Sequence, residues 1–154
     1  MEKQEFHTFD SYMKKTDKKM TAAMEDYLEM ISRLSKKNGF TRVYELASAL
    51  NVQPPSATMM VQKLAKLSLL KYEKYGIIIL EKKGAKLGES LLKRHQTIEN
   101  LLMILGVDSS VVLEETEKIE HTISKDTLHC FNKFISFLNE RPDIKKMIAN
   151  YKQS

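Results

Sequence analysis

Apolar residues recur at helical spacing from Met20 onwards, and the first stripe of them predicts an amphipathic helix. Thr21 is placed to cap the start of this helix, and Asn38-Gly39 to end it. Residues 1–19 lack such a period and carry five lysines, so we expect a mobile or weakly helical basic arm. The stripe of the first helix consists of Met24, Tyr27, Leu28, Ile31 and Leu34.

Two more helices and a hairpin are expected next. One helix runs from Val43 to Leu50, and the sequence NVQPP separates it by a few residues from a helix over about 55–67. A proline suits the first turn of that helix, because the amide it lacks would have no partner there. The stretch LLKYEKYGIIILEKKG predicts two short strands around a turn at Tyr75-Gly76. This order of elements is typical of a winged helix-turn-helix.

The pattern is helical again from about Ala85. A long helix is expected to reach Leu105, followed by helices over about 109–123 and 125–138 and a short one after Pro142. The fold class is therefore mainly α, with a basic arm at 1–19, a winged helix-turn-helix at 20–84 and an all-helical domain at 85–154. The two glycines of KGAKLG, residues 83–88, predict a flexible hinge between the domains.

Composition narrows the class only slightly. Five glycines and three prolines in 154 residues favour helices over a turn-rich β fold. No apolar run approaches the roughly 20 residues that span a bilayer, so we expect no membrane partner. The single cysteine, Cys130, excludes an internal disulfide and fits a cytoplasmic location. A net charge of +5 mildly favours polyanionic partners and does not by itself indicate nucleic acid.

The outer face of the predicted third helix suits DNA recognition. In a helix-turn-helix the second helix lies in the major groove, where hydroxyls, amides, lysines and a methionine can contact phosphates and bases. Each such residue, taken singly, is as well explained by solvent exposure, but the neighbouring hairpin favours a double-stranded DNA partner. The candidate DNA-contacting residues are Gln53, Pro54, Pro55, Ser56, Thr58, Met59, Gln62, Lys63 and Tyr75.

The sequence EETEKIEHTIS, residues 114–124, carries a candidate cluster of another kind. Glu117, Glu120 and His121 are spaced i, i+3, i+4, which places them on one side of a helix. An apolar seam is expected on nearly the opposite side, from Val112, Ile119 and Ile123.

Two other predicted helices carry similar groups. Asp26 and Glu29 share the face of the first helix away from its apolar stripe, and His95 lies near the middle of the long helix. The three helices could bring all six side chains to one point. Solvated carboxylate pairs and surface histidines are common, so these residues alone leave open a metal site, an acid–base site and a solvated surface.

Five motifs carry a resemblance to a known family: MEDYLE at 24–29, QPPSATMMVQKL at 53–64, the wing YEKYGIIIL, KRHQTIE, and GVD followed by EKIEH. Together, from Met20 to about Ile148, the chain resembles the diphtheria-toxin-repressor family of metal-dependent regulators, and its manganese-responsive members in particular. The resemblance implies a homodimeric repressor of metal-uptake genes on a palindromic operator, with metal binding and dimerisation in the helical domain.

The resemblance also implies a ligand set and a metal. Two Mn²⁺ ions per chain are expected, bridged by Glu29, Glu117 and Glu120, although other divalent metals would bind to some degree. Iron-sensing relatives carry sulfur ligands where this chain has oxygen, and oxygen-rich sites suit Mn²⁺. Cys130 lies outside the motifs and is not expected to be a ligand. The implied metal ligands are Asp26, Glu29, His95, Glu117, Glu120 and His121.

Two departures from the family pattern affect these expectations. Pro55 and Met59 stand where the family more often has small polar and basic residues, so the operator sequence is expected to differ. The chain ends at residue 154, so we expect no SH3-like third domain of the kind found in longer members.

Three alternatives remain open at this stage. The first is a regulator that responds to Fe²⁺ or another divalent metal. The second is a winged-helix regulator with an organic effector, and the third is a two-metal hydrolase. We expect no enzyme and assign no catalytic residue, because no nucleophile or oxyanion device accompanies the cluster.

Overall fold

The computed structural model describes residues 20–151 together with Thr8, Phe9 and Ser11. The rest of the predicted arm at 1–19 lies outside the described residues. Over 20–151 the chain is mainly α-helical with a small sheet, which confirms the predicted fold class. The elements are α1 (Ala22–Ser35), β1 (Thr41–Arg42), α2 (Val43–Ala49), α3 (Pro54–Lys66), β2 (Leu70–Tyr72), β3 (Ile77–Leu80), α4 (Lys82–Leu105), α5 (Ser109–Glu120), α6 (Lys125–Glu140) and α7 (Pro142–Tyr151).

Helix α1 forms the centre of the N-terminal half. Its start is the predicted one: the Thr21 hydroxyl accepts a hydrogen bond from the Met24 amide at 3.3 Å. Leu28 and Ile31 of α1 are fully buried in a core that α2, α3 and the sheet complete. Leu91 of α4 belongs to the same core, so the second half of the chain is packed onto the first.

The helix-turn-helix and wing are present as predicted. Pro54 begins α3, and the helix buries Ala57, Val61 and Leu64 against the core. Strands β2 and β3 pair antiparallel around a short 3₁₀ turn, Lys74–Gly76, in which Tyr75 has φ +63° and is 87% exposed.

The sheet contains a third strand that the sequence pattern did not predict. The two residues of β1 pair antiparallel with β3, Thr41 opposite Ile78, so the sheet order is β1-β3-β2. Two residues are too few to produce the alternating pattern that identifies a strand from sequence. This strand fixes the wing to the start of α2 and so orients it beside the helix-turn-helix.

The predicted hinge segment, 83–88, lies within a helix. Helix α4 runs unbroken from Lys82, and both glycines of the segment lie within it as close-packing positions. A Cβ on Gly84 would overlap the carbonyl of Leu69, and one on Gly88 would lie 2.9 Å from the Ser32 Cβ. The glycines therefore allow α4 to approach the hairpin and α1 closely, which holds the two halves of the chain together.

The C-terminal half is built on α4. Helix α5 packs along it, and α6 packs on it through Ile135 and Leu138. No residue of α7 is buried. Several large apolar side chains remain exposed here, including Phe134, Phe137, Met147 and Tyr151. None of the helices described is both long and apolar enough to cross a membrane.

The Gly88 contact generates a stability prediction. A Gly→Ala change in an unobstructed helix stabilises a protein by about 0.5–1 kcal/mol. Gly88→Ala should instead lower the free energy of unfolding by about 1–3 kcal/mol, because the methyl group would force α4 away from Ser32. Chemical denaturation measures the change. In a Ser32→Gly background, which removes the obstructing atoms, the same substitution should stabilise; stabilisation in both backgrounds would contradict the packing described.

Candidate metal centre

The structure brings the six candidate ligands together where α1, α4 and α5 meet. Helix α1 supplies two carboxylates from its second turn, α4 supplies one imidazole from its middle, and α5 supplies the rest from its C-terminal end. His121 is the C-cap residue of α5. The donor atoms form two groups, each compact enough to hold a metal ion: Glu29, His95 and Glu120 in one, and Asp26, Glu117, Glu120 and His121 in the other.

The first group is buried throughout. The Nδ1 atom of His95 lies 3.0 Å from Glu120 Oε2 and 3.7 Å from Glu29 Oε1. The same nitrogen lies 3.6 Å from Glu117 Oε1, which links the first group to the second. His95 thus directs one ring nitrogen at three carboxylates, an arrangement suited to sharing a cation.

The second group is partly open to solvent. The Nε2 atom of His121 lies 2.7 Å from Asp26 Oδ1 and 3.6 Å from Glu120 Oε1. The Asp26 and Glu117 side chains are 40% and 46% exposed, whereas Glu120 is fully buried. The second group therefore forms the solvent side of the cluster and the first group its interior.

Glu120 is the member common to both groups. Its Oε2 faces His95, while its buried Oε1 has no hydrogen-bond partner among the described residues. A buried carboxylate oxygen that accepts no hydrogen bond is costly in a protein unless a cation accompanies it. The residues present therefore fit a metal ion between the two groups, with Glu120 as the shared ligand. Bridging by Glu29 and Glu117 stays a prediction.

The position of Glu120 also corrects the predicted faces of α5. Val112, Thr116 and Glu120 form its buried stripe, while Ile119 is half-buried, so the carboxylate points into the protein on the side of the apolar seam. Helical spacing had placed Glu120 with Glu117 and His121, on the side of the helix nearly opposite the apolar seam. The burial of Glu120 is the reverse of what a carboxylate without a partner would prefer.

Burial and hydrogen bonds to neighbouring carboxylates alter the proton affinities of the cluster. Burial, followed by the charge of Glu120, raises the pKa of Glu117 to about 7. Burial also raises the pKa of Glu29. Hydrogen bonds to Asp26 and then Glu25 raise the pKa of His121 to about 9, and the bond to Glu120 raises that of His95. Without metal, the cluster retains protons that partly offset its negative charge.

Three residues that contact the cluster were not predicted from the sequence to belong to it. Glu25 is buried and its Oε2 lies 3.0 Å from His121 Nδ1 and 2.5 Å from Arg94 Nη2. Arg33 donates to Glu29 Oε1 at 2.6 Å. Glu25 precedes Asp26, and Arg94 precedes His95, so adjacency within MEDYLE and KRHQTIE was the available signal.

A pocket of about 350 Å³ opens onto the solvent side of the cluster. Asp26, Glu29 and Glu117 line its floor, and Arg33 and Leu113 stand among the residues of its wall. The cluster is therefore reachable from solvent without any rearrangement of the helices.

The candidate DNA-contacting residues lie apart from this cluster, on α3, its N-cap and the wing. Met59 is 60% exposed and Tyr75 is 87% exposed. Thr58 is half-buried. The remaining candidates, Gln53, Pro54, Pro55, Ser56, Gln62 and Lys63, are exposed. The structure thus presents them on an accessible surface, as a DNA-reading face requires.

A winged helix-turn-helix joined to a helical domain, with carboxylates and imidazoles gathered between them, is the architecture of a metal-dependent transcriptional regulator. Residues 19–78 match the family model of the iron dependent repressor N-terminal DNA binding domain. Residues 81–149 match that of the iron dependent repressor metal binding and dimerisation domain. The chain belongs to the iron dependent repressor family.

Curated relatives match along most of their length. The chain is 43% identical over 123 residues to the HTH-type transcriptional regulator MntR of Listeria welshimeri, covering 80% of this chain and 87% of the relative. It is 42% identical over 120 residues to the regulator of the same name from Shouchella clausii, covering 78% of this chain and 84% of the relative.

Two solved structures share the fold over about half of their own length. The manganese regulator SloR superposes with a TM-score of 0.67 and 34% identity, over 77% of this chain and 55% of that one. ScaR with bound Zn²⁺ gives a TM-score of 0.62 and 30% identity, over 74% of this chain and 54% of the ScaR chain.

The pKa shifts predict how stability varies with pH when a chelator removes metal. The Glu117 pKa is raised above its ordinary 4.5, so this group stabilises the fold fully below pH 4.5 and loses that effect as pH rises through about 7. Glu117→Gln should therefore match the unmodified chain in thermal unfolding temperature at pH 4 and exceed it at pH 8.

Glu114→Gln is the matched control, on the same helix. The Glu114 carboxylate is exposed and its pKa is lowered by a hydrogen bond from Lys118, so its removal should bring no gain at pH 8. An equal gain from both variants at pH 8 would show that general charge, and not crowding in the cluster, causes the effect.

Proposed function

We propose that this chain is a manganese-responsive DNA-binding repressor of metal-uptake genes. One observation carries the proposal: side chains of the DNA-binding half and of the helical half converge within ligand distance of one another. The metal ligands are Asp26, Glu29, His95, Glu117, Glu120 and His121. The names of the curated relatives and of SloR support manganese as the metal.

The chemistry of the donor set supports the same metal. Four carboxylates and two imidazoles make an oxygen-rich set without thiolate, and such sets suit Mn²⁺ better than sulfur-rich ones do. Cys130 is exposed on α6 and is absent from both donor groups. Mn²⁺ would supply positive charge to a cluster in which the carboxylates otherwise repel one another.

The position of the ligands explains how metal would control DNA binding. Asp26 and Glu29 lie on α1, the central helix of the DNA-binding half, and the other ligands lie on α4 and α5. With the ligands held together, α3 keeps one position relative to the helical half. Without metal, repulsion between carboxylates of α1 and α5 favours other positions. Metal thus selects one geometry through its differential affinity for the two states.

A twofold dimer would convert this geometry into operator recognition. Exposed apolar residues of α6 and α7, such as Phe137 and Met147, supply a surface for self-association. Two copies of α3 would then face DNA one helical turn apart or a multiple of it, which matches a palindromic operator. The domain boundary near residue 84 falls in the first turn of α4, which packs on α1 and on the hairpin, and both of these contact α3.

Removal of single ligands tests the proposal. A duplex selected from a random pool by the full chain in Mn²⁺ serves as probe, and fluorescence anisotropy measures binding with Mn²⁺ and with chelator. The unmodified chain should bind about 5- to 150-fold more tightly with Mn²⁺. Glu29→Gln and His95→Ala should bind the duplex equally weakly with Mn²⁺ and with chelator, while their helical circular dichroism stays unchanged.

Glu89→Gln is the matched control, because Glu89 lies on α4 as an exposed carboxylate paired with Lys93. It should keep the full response to Mn²⁺. An undiminished response in Glu29→Gln or His95→Ala would refute the ligand assignment, and repeating the titration with Fe²⁺, Zn²⁺ and Co²⁺ would identify a different activating metal.

A second test concerns Lys63, which is exposed on α3. As a phosphate contact, Lys63→Ala should weaken binding to every sequence. The slope of log affinity against log salt should fall by about one for each Lys63 in the complex, hence about two for a dimer. Lys146→Ala, an exposed lysine of α7, should change neither quantity. A loss confined to one base position would show that Lys63 reads a base.

A further inference from the structure

The two ring nitrogens of His121 face different surroundings. Nε2 is directed at the cluster, 2.7 Å from Asp26 Oδ1 and 3.6 Å from Glu120 Oε1. Nδ1 is directed away from it, 3.0 Å from Glu25 Oε2 and 3.3 Å from Arg94 Nη2. Only Nε2 is therefore placed to bind a metal shared with the cluster carboxylates, and Nδ1 is placed to donate a hydrogen bond to Glu25.

Glu25 is held in this position by a cation from another helix. The Arg94 Nη2 atom lies 2.5 Å from the Glu25 oxygen that faces His121. The Glu25 and Arg94 side chains are only 11% and 14% exposed. Arg94 compensates the buried charge of Glu25, so that carboxylate adds no net negative charge beside the metal ligands.

Glu25 also lies outside both donor groups, although it precedes Asp26 in the chain. Successive residues of a helix are separated by about 100° around its axis. Asp26 therefore faces the cluster while Glu25 faces Nδ1 and Arg94. This separation gives the two neighbouring carboxylates different functions.

A carboxylate that accepts from the second nitrogen of a metal-binding histidine fixes its tautomer, orients its ring and makes the ligating nitrogen more basic. We propose that Glu25 is a positioning residue for His121, and that Arg94 in turn positions Glu25. The inference rests on the proposed metal-binding function and deepens it, since it assigns the affinity of the centre partly to residues that do not contact the ion.

The test compares Mn²⁺ affinity and stoichiometry by calorimetry in the full chain and in Glu25→Ala, Glu25→Asp and Arg94→Ala. Loss of such an outer partner weakens metal binding by roughly 10- to 100-fold. We expect that loss in Glu25→Ala with the number of bound ions unchanged, a smaller loss in Glu25→Asp, and a loss in Arg94→Ala. Glu114→Gln, which removes an exposed carboxylate of α5, should keep the original affinity.

A second readout separates positioning from a structural role. In ¹⁵N-histidine-labelled protein loaded with diamagnetic Zn²⁺, long-range ¹H–¹⁵N spectra report which nitrogen of His121 carries the proton. The unmodified chain should show a proton on Nδ1 that the hydrogen bond to Glu25 protects from exchange with water, and Glu25→Ala should show faster exchange of that proton.

Unchanged affinity and unchanged exchange of the Nδ1 proton in Glu25→Ala would overturn the inference, even if the variant unfolded at a lower temperature. A lost ion would also overturn it, because Glu25 would then be a ligand. Failure of the unmodified chain to bind Mn²⁺ is a separate result, which would overturn the proposed function together with this inference.

Discussion

The burial of Glu120 is the constraint on which the rest of the structure depends. Its carboxylate is fully enclosed between α1, α4 and α5, with one oxygen facing His95 and the other lacking a hydrogen-bond partner among the described residues. A buried charge is tolerated when a partner of opposite charge or a metal ion compensates it. Because both donor groups contain Glu120, a cation there would join the DNA-binding half to the helical half through one residue.

The packing of α4 makes this convergence possible. Gly84 and Gly88 bring the helix against the hairpin and α1, and His95, two turns beyond Gly88, then lies opposite Glu29. Around the ligands, Arg33 and Arg94 pair with carboxylates and limit their repulsion. Without metal, protons and guanidinium groups thus offset part of the negative charge of the centre. A divalent ion would replace the protons.

Much of this arrangement follows from sequence patterns, and the exceptions have physical reasons. Helical periodicity, the Thr21 cap and the Tyr75-Gly76 turn predicted the elements, because each depends on local interactions. The two-residue strand β1 carries no period of its own. The glycines of 83–88 were interpreted as flexible because close packing between helices cannot be read locally. Glu120 was predicted on the side of its helix away from the apolar seam and Glu25 was not considered, since burial of a carboxylate depends on partners distant in the chain.

The position of the metal is the central claim, and anomalous diffraction tests it most directly. Crystals of the chain grown with Mn²⁺ should show anomalous peaks at the manganese edge between α1, α4 and α5, with oxygens of Glu120 within bonding distance of each peak. Peaks confined to other parts of the protein, or none with the six side chains in their present positions, would contradict the assignment.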